Sequence, residues 1–155
     1  MGKFDESDNY PQLMANRAAF DIVSVETALL TLLAEHGELG IGLEVFHGDV
    51  PLNIGGGIGI TAENDDPGTD LRQRNYEFAC EGYDVDYERL TRRFSRLAGM
   101  LPLRGVTAGG VYFISIHCGS AVRYSKSHEY GRIIHRGRLG IEAKVEVNQL
   151  EELNA

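Results

Sequence analysis

Three patterns in this sequence place residues where they could do chemistry. Gly57-Ile58-Gly59-Ile60-Thr61-Ala62 matches the G-x-G-x-x-A form of a dinucleotide-binding turn. That motif works only when a helix N-terminus follows at once and points at the pyrophosphate. Here Glu63-Asn64-Asp65-Asp66-Pro67-Gly68 follows, a stretch that breaks helices and repels phosphate. The match therefore predicts no cofactor site. The glycines Gly55 to Gly59 instead predict a backbone that bulges or lies close against a neighbouring subunit. The histidines His36, His47, His117, His128 and His135 form no i, i+4 pair and have no cysteine partnering of the zinc type, so no metal site is expected. His117 and Cys118 are adjacent and would face opposite sides of a strand, which argues against a nucleophile pair. Gly119-Ser120-Ala121 is no nucleophile elbow. Paired carboxylates fall in acidic loops, where solvated charge explains them. The sequence predicts no enzyme, no cofactor and no metal.

The third pattern is charge. Fifteen Lys and Arg against 23 Asp and Glu give a net charge of −8, which disfavours sequence-independent DNA binding. The charge is segregated. Acids concentrate between Ala62 and Glu88, with Glu63, Asp65, Asp66 and Asp70 at the head of the run. Bases concentrate later, as Arg123, Lys126, Arg132, Arg136 and Arg138, interleaved with Tyr124 and Tyr130. A basic and aromatic loop suits a solvated hairpin tip, an acidic protein surface or phosphate. Two oppositely charged borders suit head-to-tail assembly, while a mixed solvated surface is the plainer alternative.

These residues need elements to hold them. Asp21 caps a helix from Ile22 to His36 whose stripe is Ile22, Val25, Leu29, Leu32 and Leu33, with Gly37 as its left-handed stop. Ile41 to Phe46 predicts a strand, and Asn53 to Thr61 a glycine-loosened strand paired with it. Asn64 to Gly68 signals a loop. Arg72 to Tyr83 alternates as a half-buried strand. A second helix follows Asp84 or Asp86 and runs to Met100, with Tyr87, Leu90, Phe94 and Leu97 on one face and arginines towards its end. Leu101-Pro102 stops it. A short loop leads to a strand from Val111 to Cys118. Residues 121 to 128 are read as a polar excursion, and 130 to 147 as a closing strand. Cys80 and Cys118 are expected to be reduced, buried small hydrophobes.

The expected architecture is α+β: one antiparallel sheet of about five strands with two helices packed on one face. Residues 1–18 are expected as a flexible arm, 19–148 as a single domain and 149–155 as a polar tail. A hydrophobic fraction of 43% and a charged fraction of 25% are those of an ordinary folded domain. No apolar run reaches the ~20 residues of a bilayer span, and the polar start offers no secretion signal.

The order of elements resembles the tail terminator, or tail completion, proteins of long-tailed bacteriophages, often described as minor capsid or neck proteins. The resemblance lies in the leading helix, the segment Val45-Phe46-His47-Gly48-Asp49-Val50-Pro51, the strand Arg74 to Tyr83 with the helix after it, and the closing strand Arg138 to Val147. It covers about residues 19–148 in order and pattern. It implies a virion subunit, made in the host cytoplasm, that forms a hexameric ring on the head-proximal end of the tail tube. Its partners would be copies of itself, the tail tube protein and a head–tail connector or neck protein. The genome would pass through the lumen without sequence-specific binding, and no catalytic residue or cofactor comes with the family. The glycine run and the 120–130 excursion depart from the pattern, leaving a connector position open.

The expected mechanism is contact between the acidic border of one subunit and the basic border of the next. The rival is a small cytosolic ligand-binding domain or enzyme with a concave pocket beside Gly55–Gly59.

Overall fold

Helix α1 (Ile22–Gly37) begins where the Asp21 carboxylate accepts from the Val23 N–H at 3.2 Å and the Ser24 hydroxyl at 2.9 Å. The computed structural model describes residues 21–51, 54–66 (without the Asp66 side chain) and 73–146. The expected arm and tail lie outside these residues, as does Asp70. The left-handed residue that ends α1 is Glu38, at φ 55°, and not Gly37, which still belongs to the helix.

Strands follow in the order β1 (Val45–His47), β2 (Gly56–Asp66) and β3 (Gln73–Asp84). Helix α2 (Tyr87–Met100) starts on Asp86, whose carboxylate accepts from the Glu88 and Arg89 N–H groups. Then come β4 (Leu103–Ala108), β5 (Val111–Cys118), β6 (Arg123–Glu129) and β7 (Arg132–Glu146). The fold is α+β, with two helices and a seven-stranded sheet among the described residues.

The strand count differs from the expected five for identifiable reasons. β4 sits in what reads as a short loop, because its alternation is broken at Gly105, at φ 62°, with Leu103 and Val106 on either side both half-buried. β6 reads as a polar excursion because it is an edge strand whose residues are nearly all exposed, so it carries no apolar alternation. β2 also runs on through the expected loop to Asp66, with a register shift between Ala62 and Asn64. Every pairing is antiparallel except β1 with β2, which is parallel.

β3 lies on one side of β7, while β5 and β6 lie end to end along its other side. The register places Ile58, Ile60, Tyr76, Phe78, Cys80, Leu139, Ile141 and Val145 on one face, all buried. Both helices cover that face. α1 touches β1 and β2 and also β4 and β5, so the sheet curls round it; α2 lies on β3 and β7. Removing each such side chain from water contributes about 1.5–3 kcal/mol, which makes this face the main source of stability. The opposite face is polar. It carries Glu77, Glu81, Arg136, Arg138, Glu142 and Lys144, and neither α1 nor α2 lies on it.

Candidate functional site

The last strand pair turns the basic segment into an arm. β6 and the first half of β7 form a two-stranded hairpin closed by Tyr130 and Gly131, at φ 51° and 74°. β3 ends at Asp84, opposite His135. Residues 126–134 therefore project past the sheet as a ribbon with no third strand beside them.

The register sorts the hairpin residues between two sides. Arg123, Arg132, Arg136 and Arg138 lie on the polar face; Tyr124 and Lys126 lie on the helix side, opposite Gly137 and His135. Tyr124 is anchored at the root. Its ring meets Phe94 edge-on at 6.0 Å and Tyr87 at 6.3 Å, and Tyr87 packs on His135 at 5.3 Å. Position 137 must be glycine here, since a Cβ would stand 2.5 Å from the Phe94 ring. Burial, with a smaller push from Tyr87, raises the Tyr124 phenol above its ordinary pKa.

The two charged borders meet inside one subunit. Arg138 donates to both Glu63 and Glu81, bridging β2, β3 and β7 across the polar face. Arg136 bonds Glu129 at 2.8 Å within the hairpin. Asp65 lies on the opposite face from Glu81 by register and takes Arg74 at 2.8 and 2.9 Å. The expected acidic border is thus split over two faces and partly neutralised by its own chain. Of the five bases, Arg123, Lys126 and Arg132 have no ion-pair partner among the described residues. Tyr130 at the tip is 99% exposed.

A second cluster of arginines was not singled out from the sequence, where they read as answering the helix dipole. Asp84 is wholly buried and accepts from Arg89 Nε at 2.8 Å, Arg89 Nη2 at 2.6 Å, Arg93 Nη1 at 3.1 Å and the Asp86 N–H at 2.8 Å. Burial alone would raise its pKa. Arg89, the Asp86 N–H and Arg93 together hold it below the ordinary carboxylate value. Glu44 stands 3.4 Å from Arg93 on the other side. None of the arginines falls in the last turn of α2; Arg89 and Arg93 answer Asp84, Arg93 also Glu44, and Arg92 answers Glu88. A buried carboxylate immediately before a helix cap is the signal that could have found them.

Comparison with known proteins adds one finding. No family model matches the chain, and no curated protein matches it in sequence. Among solved structures, it is similar to a chain of the virion of a native gene transfer agent particle. The two share 13% identity over 87% of this chain and 93% of that one, with a TM-score of 0.49. No functional statement rests on this likeness.

The glycine segment lies close against its own chain. A Cβ on Gly57 would stand 2.6 Å from the Phe46 ring, and one on Gly59 would collide with the Gly48 carbonyl. The strap from Gly48 to Pro51 lies over β2 on the polar face, tied down by the Tyr83 hydroxyl donating to the Pro51 carbonyl at 2.6 Å. Beside it is an open hollow of about 420 Å³ lined by Gly48, Asp49, Val50, Gly59, Thr61 and Tyr83, with Glu81, Gly82 and Arg136.

Among the described residues, no group of three or more His, Cys, Asp or Glu is arranged to hold a metal ion. His117 bonds Glu142 at 2.8 Å on the polar face, while Cys118 follows Ile141 on the other. Cys80 is buried, and burial with the nearby Cys118 pushes its thiol up to about 12. Cys118 is exposed, contrary to expectation, because it ends β5 beyond the cover of the helices. No helix among the described residues is long and apolar enough to cross a membrane.

Proposed function

We propose that this chain is a structural subunit of a phage-type virion, assembling as a homo-oligomeric ring that caps the tail tube and joins it to the head or neck. What supports the reading is the hairpin arm. It projects past the sheet, carries three bases left without partners and ends in a fully exposed tyrosine. An arm of that kind gains nothing for its own fold and suits contact with another protein, since Tyr and Arg supply most interface hot spots. The layout of the elements, which resembles the tail terminators, supplies the ring, the tail tube protein and the neck partner, and leaves a hexamer as the expected closure.

The contact is not a simple meeting of acidic and basic borders, because Glu63, Asp65 and Glu81 already serve Arg138 and Arg74. Charge at Arg123, Lys126 and Arg132 orients the neighbour, and apolar and aromatic contacts supply most of the affinity. Light scattering with electron microscopy of the purified chain tests the proposal. Closed rings that bind the ends of tail tubes are expected; a monomer at every concentration and salt overturns it.

A second reading has one observation in its favour. The hollow beside Gly59 is where the ligand-binding rival expects a pocket. A thermal-shift screen against nucleotides and small metabolites separates the two, because only the rival expects a shift of several degrees.

A further inference from the structure

Tyr130 occupies a conformation that its own fold does not reward. The hairpin turns in two residues, both with positive φ, a geometry that normally selects Asn, Asp or Gly at the first position. A tyrosine there accepts backbone strain, and its ring makes up for none of it, being 99% exposed. Beside the tip, Arg132 has no ion-pair partner and Ile133 is 40% exposed. A strained, solvated aromatic flanked by an unpaired arginine and an apolar side chain has the make-up of an interface anchor.

The molecule also carries a surface shaped to receive it. The hollow beside the strap has a floor of backbone at Gly48, Gly59 and Gly82, walls from Val50 and Tyr83, and Thr61 and Asp49 as polar groups. At about 420 Å³ it has room for a tyrosine ring. Glu81 and Arg136 complete the lining from the polar face of β3 and β7, and Arg136 could meet the phenol oxygen of an incoming tyrosine. Asp49 is exposed and has no ion-pair partner among the described residues, which complements the unpaired Arg132. The tip cannot reach this hollow in its own chain. Tyr130 stands six residues before Arg136, about 20 Å at the pitch of a strand, on the side away from Thr61, and its ring is 99% exposed.

Resting on the homo-oligomer proposed above, we infer that the hairpin tip of one copy docks in the strap hollow of a second copy, with Tyr130 as anchor and Arg132 against Asp49. Tip and hollow are different surfaces, so the contact is heterologous. Repeated head to tail with a rotation that closes, it builds a ring.

Two variants test this by sedimentation velocity on the full chain. Tyr130→Ala destroys the tip and keeps the hollow; Thr61→Arg fills the hollow and keeps the tip. Each alone is expected to weaken assembly at least tenfold, with an unchanged urea melt for Tyr130→Ala. Mixed in equal amounts, they are expected to form a one-to-one dimer that neither forms alone, because one competent contact remains. Asp49→Lys, on the exposed strap, replaces Thr61→Arg if that change disturbs β2. Variants that assemble like wild type, or a mixture that stays monomeric, overturn the contact while wild-type rings keep the oligomer standing. A wild type that never assembles removes both.

Discussion

The arginines of α2 and those of the hairpin are the same residue in opposite circumstances. Arg89 and Arg93 close on a carboxylate sealed from water, with every oxygen of Asp84 engaged. Arg123 and Arg132, with Lys126 between them, stand on an exposed ribbon and form no ion pair among the described residues, Glu129 opposite Arg132 being held by Arg136. The first group pins the end of β3 to the start of α2, so its charge acts on the fold. The second forms no ion pair among the described residues, so its charge is available for a partner. Arg138 lies between the extremes, exposed yet shared by two glutamates.

The contrast breaks first at Asp84. Asp84→Ala leaves two guanidinium groups facing a buried gap, and is expected to cost about 3–5 kcal/mol in a urea melt. A loss under 1 kcal/mol would mean the cluster is as dispensable as the hairpin charges. The same carboxylate sets an acid limit. Its folded pKa lies below the ordinary 3.8, so its contribution is complete above about pH 4 and disappears as pH falls through the lower folded value. Thermal melts are therefore expected to hold down to about pH 4 and drop below it, with Asp84→Asn blunting the drop.

Next in size is the strap. Gly59→Val drives a methyl group into the Gly48 carbonyl and is expected to cost about 1–3 kcal/mol and to loosen the 48–51 segment in hydrogen exchange. At the hairpin root, Tyr124→Ala removes edge-on contacts with Phe94 and Tyr87 and is expected to cost about 0.5–1.5 kcal/mol beyond its lost burial. Out on the ribbon, charge changes are expected to move the melt by no more than about 0.5 kcal/mol.

Both helices, the Asp21 cap of the first, β3, β5 and the body of β7 are legible in the sequence, the elements because each carries an apolar period that burial enforces, while the start of the second helix is left between Asp84 and Asp86. What was hidden lacks such a period. β6 is exposed along nearly its whole length, and the alternation of β4 is broken at Gly105. The basic segment was recognised as a candidate surface, but its pairing was not, since Arg138 finds Glu63 only through a sheet that brings residues 75 apart together. The glycine run was read as a place of close approach. The fold supplies the approaching chain from within, through a strap whose four residues, Gly48 to Pro51, give no periodic signal.

The measurement that bears most directly on the hairpin's role is a paired one on Arg123→Glu, Lys126→Glu, Arg132→Glu combined in one chain. Urea melting and sedimentation velocity are run on the same preparation. The expected result is a melt within about 0.5 kcal/mol of wild type and assembly reduced to monomer. A displaced melt with assembly intact would show that these charges serve the fold after all, and would contradict the account.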